Sequence, residues 1–229
     1  METNNEQEVP KKASLSLPSA IVVAGVLISL AIIFSSSSGK MPVQNDTEAK
    51  TGDVVIPDVT EDDFIKGNAK AEITIVEYSD FSCSFCARFH PTMKQIVENY
   101  EGKVKWVYRH LPIFNKPAAV ASSCVGNILG DEAFFLYADK LFENQKDING
   151  DLLKREALAL GITDSQYETC VGDKELNDKI SSEFTSVRVL AGFNGTPTSV
   201  IIDKDGNMYP FSGALPYEEV SALVDSFLK

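Results

Sequence analysis

The sequence predicts an α/β fold whose elements run β-α-β, then a block of helices, then β-β-α, preceded by one transmembrane helix. Three observations carry this. Runs rich in β-branched residues stand at 73–78 and 104–109 and return only at 198–202. Between them, from about 113 to 190, nearly every segment repeats its apolar residues at helical spacing. Near the start, residues 20–34 form an apolar run without a charge.

Taken in order, residues 1–19 read as a cytoplasmic segment, 20–36 as a signal-anchor, 37–60 as a linker and 61–229 as the folded domain. No charge occurs between Lys12 and Lys40. Residues 19–37, as a helix, would span about 28 Å against a hydrocarbon core of about 30 Å. Lys11 and Lys12 abut the span and predict an N-terminus inside, with the rest of the chain outside. A cleaved signal peptide is the alternative, with Ser35 to Gly39 as its small residues, but Glu2, Glu6 and Glu8 are unlike a basic leader. The Ser-, Gly-, Asp- and Pro-containing stretch that follows lacks periodicity and reads as a tether.

In the folded part, 73–78 predicts a strand, and Ala87 to Val97 a helix with Pro91 inside it. Residues 104–109 alternate as a second strand before Pro112 and Pro117 punctuate the chain. Helices are expected at 118–129, at 131–142 with Phe134, Phe135 and Leu141 on one side, at 152–160, at 164–172 and at 175–190. Asp205-Gly206-Asn207 is a hairpin turn between strands 198–202 and 208–211, and 216–228 closes as an amphipathic helix. An apolar content of 44% supports a core, and a net charge of −12 argues against nucleic acid or an anionic membrane surface as the main partner.

The chemistry centres on Cys83-Ser84-Phe85-Cys86, which follows the first strand and opens a helix. Unpaired N–H groups and the helix dipole there favour a thiolate on Cys83, the species that attacks disulfides. A strand feeding C-x-x-C at a helix start is a redox pattern. Two other readings stand beside it. His90 extends the motif to C-x-x-C-x-x-x-H, half of a zinc site, but Cys124 and Cys170 stand alone, far from a second pair. A structural disulfide or two buried thiols is the other. His90 reads as a packed or surface residue rather than a ligand, and His110 has no partner that the sequence names.

The combination of residues 77–86 (Glu-Tyr-Ser-Asp-Phe-Ser-Cys-Ser-Phe-Cys), Arg109-His110-Leu111-Pro112 and Gly195-Thr196-Pro197-Thr198, in this order with helices between, resembles the DsbA-type thiol:disulfide oxidoreductases of the thioredoxin superfamily. The resemblance implies a thioredoxin-like core with a helical lobe packed beside the active site. It makes Cys83 the nucleophile and Cys86 the resolving cysteine. Thr196-Pro197 becomes a cis-proline loop that lies against the dithiol and pairs with an extended substrate segment; an ordinary trans proline is the alternative. Glu77, the one acid in an apolar strand, matches the family's buried carboxylate, whose raised pKa suits proton exchange with Cys86; an exposed glutamate on an edge strand is the alternative. Some members carry a second cysteine pair in the helical lobe, which implies a structural Cys124–Cys170 bond, against two buried free thiols.

The chain departs from the family in the dipeptide Ser84-Phe85, which lacks the proline and histidine of some members, so a strongly oxidising potential does not follow. Thr196 before the proline occurs in both oxidases and isomerases. The reading is a membrane-anchored extracytoplasmic oxidoreductase, favouring oxidation, that acts on cysteine-containing proteins. It needs no metal or organic cofactor and is reset by an unidentified membrane redox partner. A metallochaperone using Cys83, Cys86 and His90, and a non-catalytic binding module, are the alternatives.

Overall fold

A computed structural model of the chain describes residues 54–229. The expected membrane span and most of the linker lie outside them; among the described residues no helix is long and apolar enough to cross a membrane. Residues 54–60 have no regular structure but are not free chain. Ile56 is buried, and Arg109 donates to the carbonyls of Pro57 and Asp58 at 2.8 Å each.

The centre is strand β2 (Ile73–Ser79), every residue of which is buried. It pairs in parallel with β3 (Val104–His110) and antiparallel with β4 (Thr198–Ile202). The edges are β1 (Phe64–Gly67), antiparallel to β3, and β5 (Met208–Ser212), antiparallel to β4. β1 was not legible as a strand: its four residues carry no alternation and are strand only because Phe64 to Gly67 pair with Tyr108 to Lys105. Pro210 is accommodated because β5 is an edge, where a missing N–H costs no ladder bond.

Helix α1 (Ser84–Asn99) lies on one face of the sheet and buries Cys86, Phe89, Met93 and Ile96 against it. It runs as one helix through Pro91, which is exposed. The block between β3 and β4 holds α2 (Lys116–Leu129), α3 (Asp131–Glu143), a short 3₁₀ turn (Gln145–Asp147), α4 (Gly150–Ala159), α5 (Asp164–Val171) and α6 (Lys174–Leu190). Local caps start these helices: Asn115 accepts from Ala118 N–H, Asn149 from Leu152 N–H, and Thr163 forms a capping box with Gln166. The final helix, α7 (Tyr217–Phe227), packs beside α1.

The helical insertion packs partly on itself, around Ala119, Val120, Cys124 and Ile180, and partly on the sheet. Phe134, Phe135, Tyr137 and Leu141 share one apolar cluster with Ile73, Ile75, Phe89 and Trp106 of the sheet and α1. α6 leaves the others and covers the opposite face, where Val187 meets Val76, Tyr78, Val107 and Val200. This is why β2 reads as an unbroken apolar run: helices cover both its faces. Gly126 marks how tightly α2 meets the sheet edge, since a Cβ there would lie 2.2 Å from the Phe64 ring, itself stacked on Phe134 at 3.9 Å.

Cys124 of α2 and Cys170 of α5 are joined by a disulfide with Cα atoms 5.8 Å apart, beside Ala119, Val120 and Ile180. With a sequence separation of 46, the bond restricts the unfolded chain by on the order of 4 kcal/mol. Changing both cysteines to alanine should lower the unfolding free energy by an amount of this order, read from denaturant titration, while leaving the thiol reactivity of Cys83 unchanged. A variant as stable as the parent would show that the bond contributes nothing.

Candidate active site

The two free cysteines among the described residues lie where β2 hands over to α1. Cys83 occupies the N-cap position of α1 with extended backbone, and Cys86 is in the helix's first turn. The loop between is held from three sides. Asp80 accepts from Ser82 N–H at 2.7 Å through one oxygen and from Phe114 N–H at 2.6 Å through the other. Asn115 donates to Ser82 Oγ at 2.9 Å. Gln145, from the 3₁₀ turn, donates to the carbonyls of Phe81 and Cys83 at 2.8 and 2.9 Å. Two of these clamps come from the helical insertion, which fixes the loop before any substrate arrives.

The two sulfurs are chemically unlike. The Cys83 thiol is lowered to about 5: the Cys86 thiol donates to it, burial opposes the shift, and the Thr196 hydroxyl with the N–H groups of Cys86 and Phe85 adds to the stabilisation. Cys86 is fully buried and its thiol is pushed far up, first by desolvation, then by the neighbouring Cys83 thiolate and Glu77. At neutral pH the pair is a thiolate over a thiol.

Thr196-Pro197 is a cis peptide, and as a thiol Cys83 donates to the Thr196 carbonyl at 3.2 Å. A thiolate cannot make that bond; the buried Thr196 hydroxyl, without a partner in this structure, is the donor that replaces it. Glu77 is fully buried in the middle strand, not on an edge. Burial raises its carboxyl to about 8; Ser79 and Trp106 oppose this, and the Cys83 charge reinforces it.

The structure therefore brings Cys83, Cys86, Thr196, Pro197 and Glu77 together, while Cys124 and Cys170 stand apart as a bridge within the helices. It separates His90 from them. That ring's Nε2 contacts Asp139 at 2.7 Å and packs against Trp106 and Phe142, and burial lowers its pKa. Among the described residues no three His, Cys, Asp or Glu side chains converge as a metal site requires, so the Cys83-Cys86-His90 set is corrected: His90 serves packing. His110 faces Ser123 Oγ at 3.0 Å and is held neutral, its pKa lowered to about 3 by burial. The sequence reading missed Asp80, Asn115 and Gln145. Asn115 before Lys116-Pro117 carries a helix-start signature; nothing local marks Gln145, whose partners are more than sixty residues away.

A dithiol at a helix start, faced by a cis-proline loop and roofed by an inserted helical block, defines a thioredoxin-fold redox domain. The chain belongs to the thioredoxin family: the Thioredoxin_4 model, described as thioredoxin, matches residues 59–226. Its fold is similar to that of Wolbachia pipientis alpha-DsbA1, with 23% identity, a TM-score of 0.64, and coverage of 76% of this chain and 92% of that one. It is 25% identical to a Rickettsia bellii protein named "Putative protein-disulfide oxidoreductase", over 68% of this chain and 62% of the relative. It is also 26% identical to the Na(+)/H(+) antiporter NhaA 3 of Salinispora tropica, over 64% of this chain but only 22% of that protein's length.

Folded Glu77 keeps its proton up to about pH 8, whereas the unfolded chain releases it near 4.5. Between these values the folded state binds more protons, so this residue makes stability fall as pH rises. Glu77→Gln should raise stability by on the order of 3 kcal/mol at pH 7 and change it little at pH 4. Denaturant unfolding at the two pH values checks this; equal effects at both would mean the carboxyl titrates normally.

Proposed function

We propose that this protein is a membrane-anchored, extracytoplasmic thiol:disulfide oxidoreductase that forms or exchanges disulfides in secreted proteins through Cys83-Ser84-Phe85-Cys86. The observation that carries it is the opposed state of two adjacent sulfurs: an exchange enzyme needs one thiolate to attack and a second thiol held back until the mixed disulfide forms. In the oxidising direction, a substrate thiolate attacks Cys83 of the Cys83–Cys86 disulfide and Cys86 leaves. A second substrate thiolate then attacks its own bridged sulfur and releases Cys83 as the thiolate. The low Cys83 pKa makes that sulfur a good leaving group and favours oxidation of the substrate. Glu77 supplies the proton that the departing Cys86 needs.

Substrate contact is assigned to the Thr196-Pro197 loop and to the exposed rings of Phe85 and Phe114, which are 51% and 70% accessible on either side of the clamped loop. The 20–36 anchor, with Lys11 and Lys12 inside, delivers the domain to an oxidising compartment, where a Cys124–Cys170 bridge is stable. A membrane redox partner resets the dithiol.

Alkylation of Cys83 should show an inflection near pH 5 in place of the ordinary value of about 8.5. Cys86→Ser should accumulate mixed disulfides with secreted proteins through Cys83. Normal titration together with no trapped species would overturn the oxidoreductase reading.

The anchor is tested by mass. Protein extracted from membranes should retain residues 1–36, and a soluble product beginning near Ser36 to Met41 would make the apolar run a removed signal.

A further inference from the structure

We propose that Ser79 carries the proton between Glu77 and Cys86 during turnover, a role that rests on the oxidoreductase reading above. Side chains alternate along β2, so Ser79 shares with Glu77 the face that meets α1. Register brings Tyr108 and Ser199 opposite Glu77 on the two neighbouring strands, and Trp106 two residues before Tyr108 points the same way. The polar ends of Glu77, Ser79, Trp106, Tyr108 and Ser199 are all buried there, and none makes a closed hydrogen bond in the resting dithiol. Buried polar atoms without partners are rare in folded proteins, and five side chains in one place mark a site where bonds exchange.

Within this group Ser79 is the hydroxyl placed between the two ends of the transfer: it follows Glu77 on one face of β2 and immediately precedes the Asp80 turn that leads into Cys83 and Cys86. Its unpaired hydroxyl is close enough to bear on Glu77, Cys86 and Tyr108, whereas Glu77 acts on Cys86 through its charge. A relay must accept on one side and donate on the other. A hydroxyl does both, and the indole N–H of Trp106 only donates. Asp80, although adjacent, has its oxygens committed to the N–H groups of Ser82, Phe114 and Asn115.

When a substrate thiolate attacks Cys83 of the disulfide, the Cys83–Cys86 bond breaks and its electron pair leaves on Cys86. Cys86 takes the Ser79 hydroxyl proton, Ser79 takes the carboxyl proton of Glu77, and Glu77 is left as carboxylate. A substrate–Cys83 disulfide forms as the Cys83–Cys86 bond breaks, so the substrate sulfur is oxidised, the Cys86 sulfur is reduced, and Ser79 ends unchanged. When Cys86 later attacks a mixed disulfide on Cys83, the proton returns by the same route.

The test uses the reduced full chain and dithiobis(nitrobenzoate). Cys83 releases a first thionitrobenzoate on forming the mixed disulfide; Cys86, losing its proton, releases the second. Ser79→Ala should leave the first release unchanged and slow the second at least about tenfold, within the range of a lost acid–base step. Glu77→Gln should slow it likewise, and the double variant should be no slower than the slower single one, as for two members of one chain. In the parent the second release should rise with pH through the Glu77 value of about 8, and this inflection should vanish in Ser79→Ala. The titratable groups around Ser79 are Glu77 on β2, Asp80 just after it, Cys83 at the N-cap of α1, Cys86 on α1 and Tyr108 on β3. Independently of any substitution, the parent's rate in mixed light and heavy water should curve with isotope fraction, as two protons in flight require. A linear dependence, an unchanged second release in Ser79→Ala, or additive slowing in the double variant would overturn the relay. If the parent itself gives no second release, the oxidoreductase reading fails instead.

Discussion

The opposed settings of two nearby sulfurs are what the site depends on. Cys83 at the open helix start is held low and buried Cys86 is pushed up, which keeps one charged and the other protonated within a single helical turn. The difference holds only if Cys86 remains buried and Cys83 stays at the helix start against the Thr196-Pro197 loop. Each condition is met by a different part of the chain. α1 buries Cys86 against the sheet, Asp80 and Asn115 fix the turn, and Gln145 holds the Cys83 carbonyl from the far side.

Burying an acid beneath that pair lowers stability. Glu77 sits where an apolar residue would pack, and its neighbours only partly offset the loss of water. The surrounding strands tolerate it because they are covered on both faces: the large apolar cluster lies on one side and Val187 of α6 joins a second on the other. Core stability elsewhere thus permits an ionisable group in the middle strand.

The helical insertion has two physical roles. Its aromatic residues extend the core of the sheet, with Phe134 stacked on Phe64 at the edge and Phe135 against Trp106. Asn115 at its start and Gln145 in its 3₁₀ turn supply two clamps on the cysteine loop. The disulfide between α2 and α5 ties together helices that otherwise meet mainly through small residues such as Ala119 and Val120.

The sequence by itself determined the order of elements from β2 onward, most helix bounds to within a few residues, and the place of Cys83, because each depends on near neighbours: β-branched periodicity for 73–78, helical spacing for 175–190, and the helix start for Cys83. Family resemblance added Glu77, Pro197 and the pairing of Cys124 with Cys170. Only the tertiary structure decided what depends on distant partners. β1 is a strand because β3 pairs with it; His90 packs with Asp139, 49 residues away, and so leaves the dithiol; and the aromatic residues of the insertion join the core of the sheet. Burial likewise made Glu77 and Ser79 neighbours in one dry pocket. Desolvation is a property of everything packed around a group, and no local stretch of sequence encodes it.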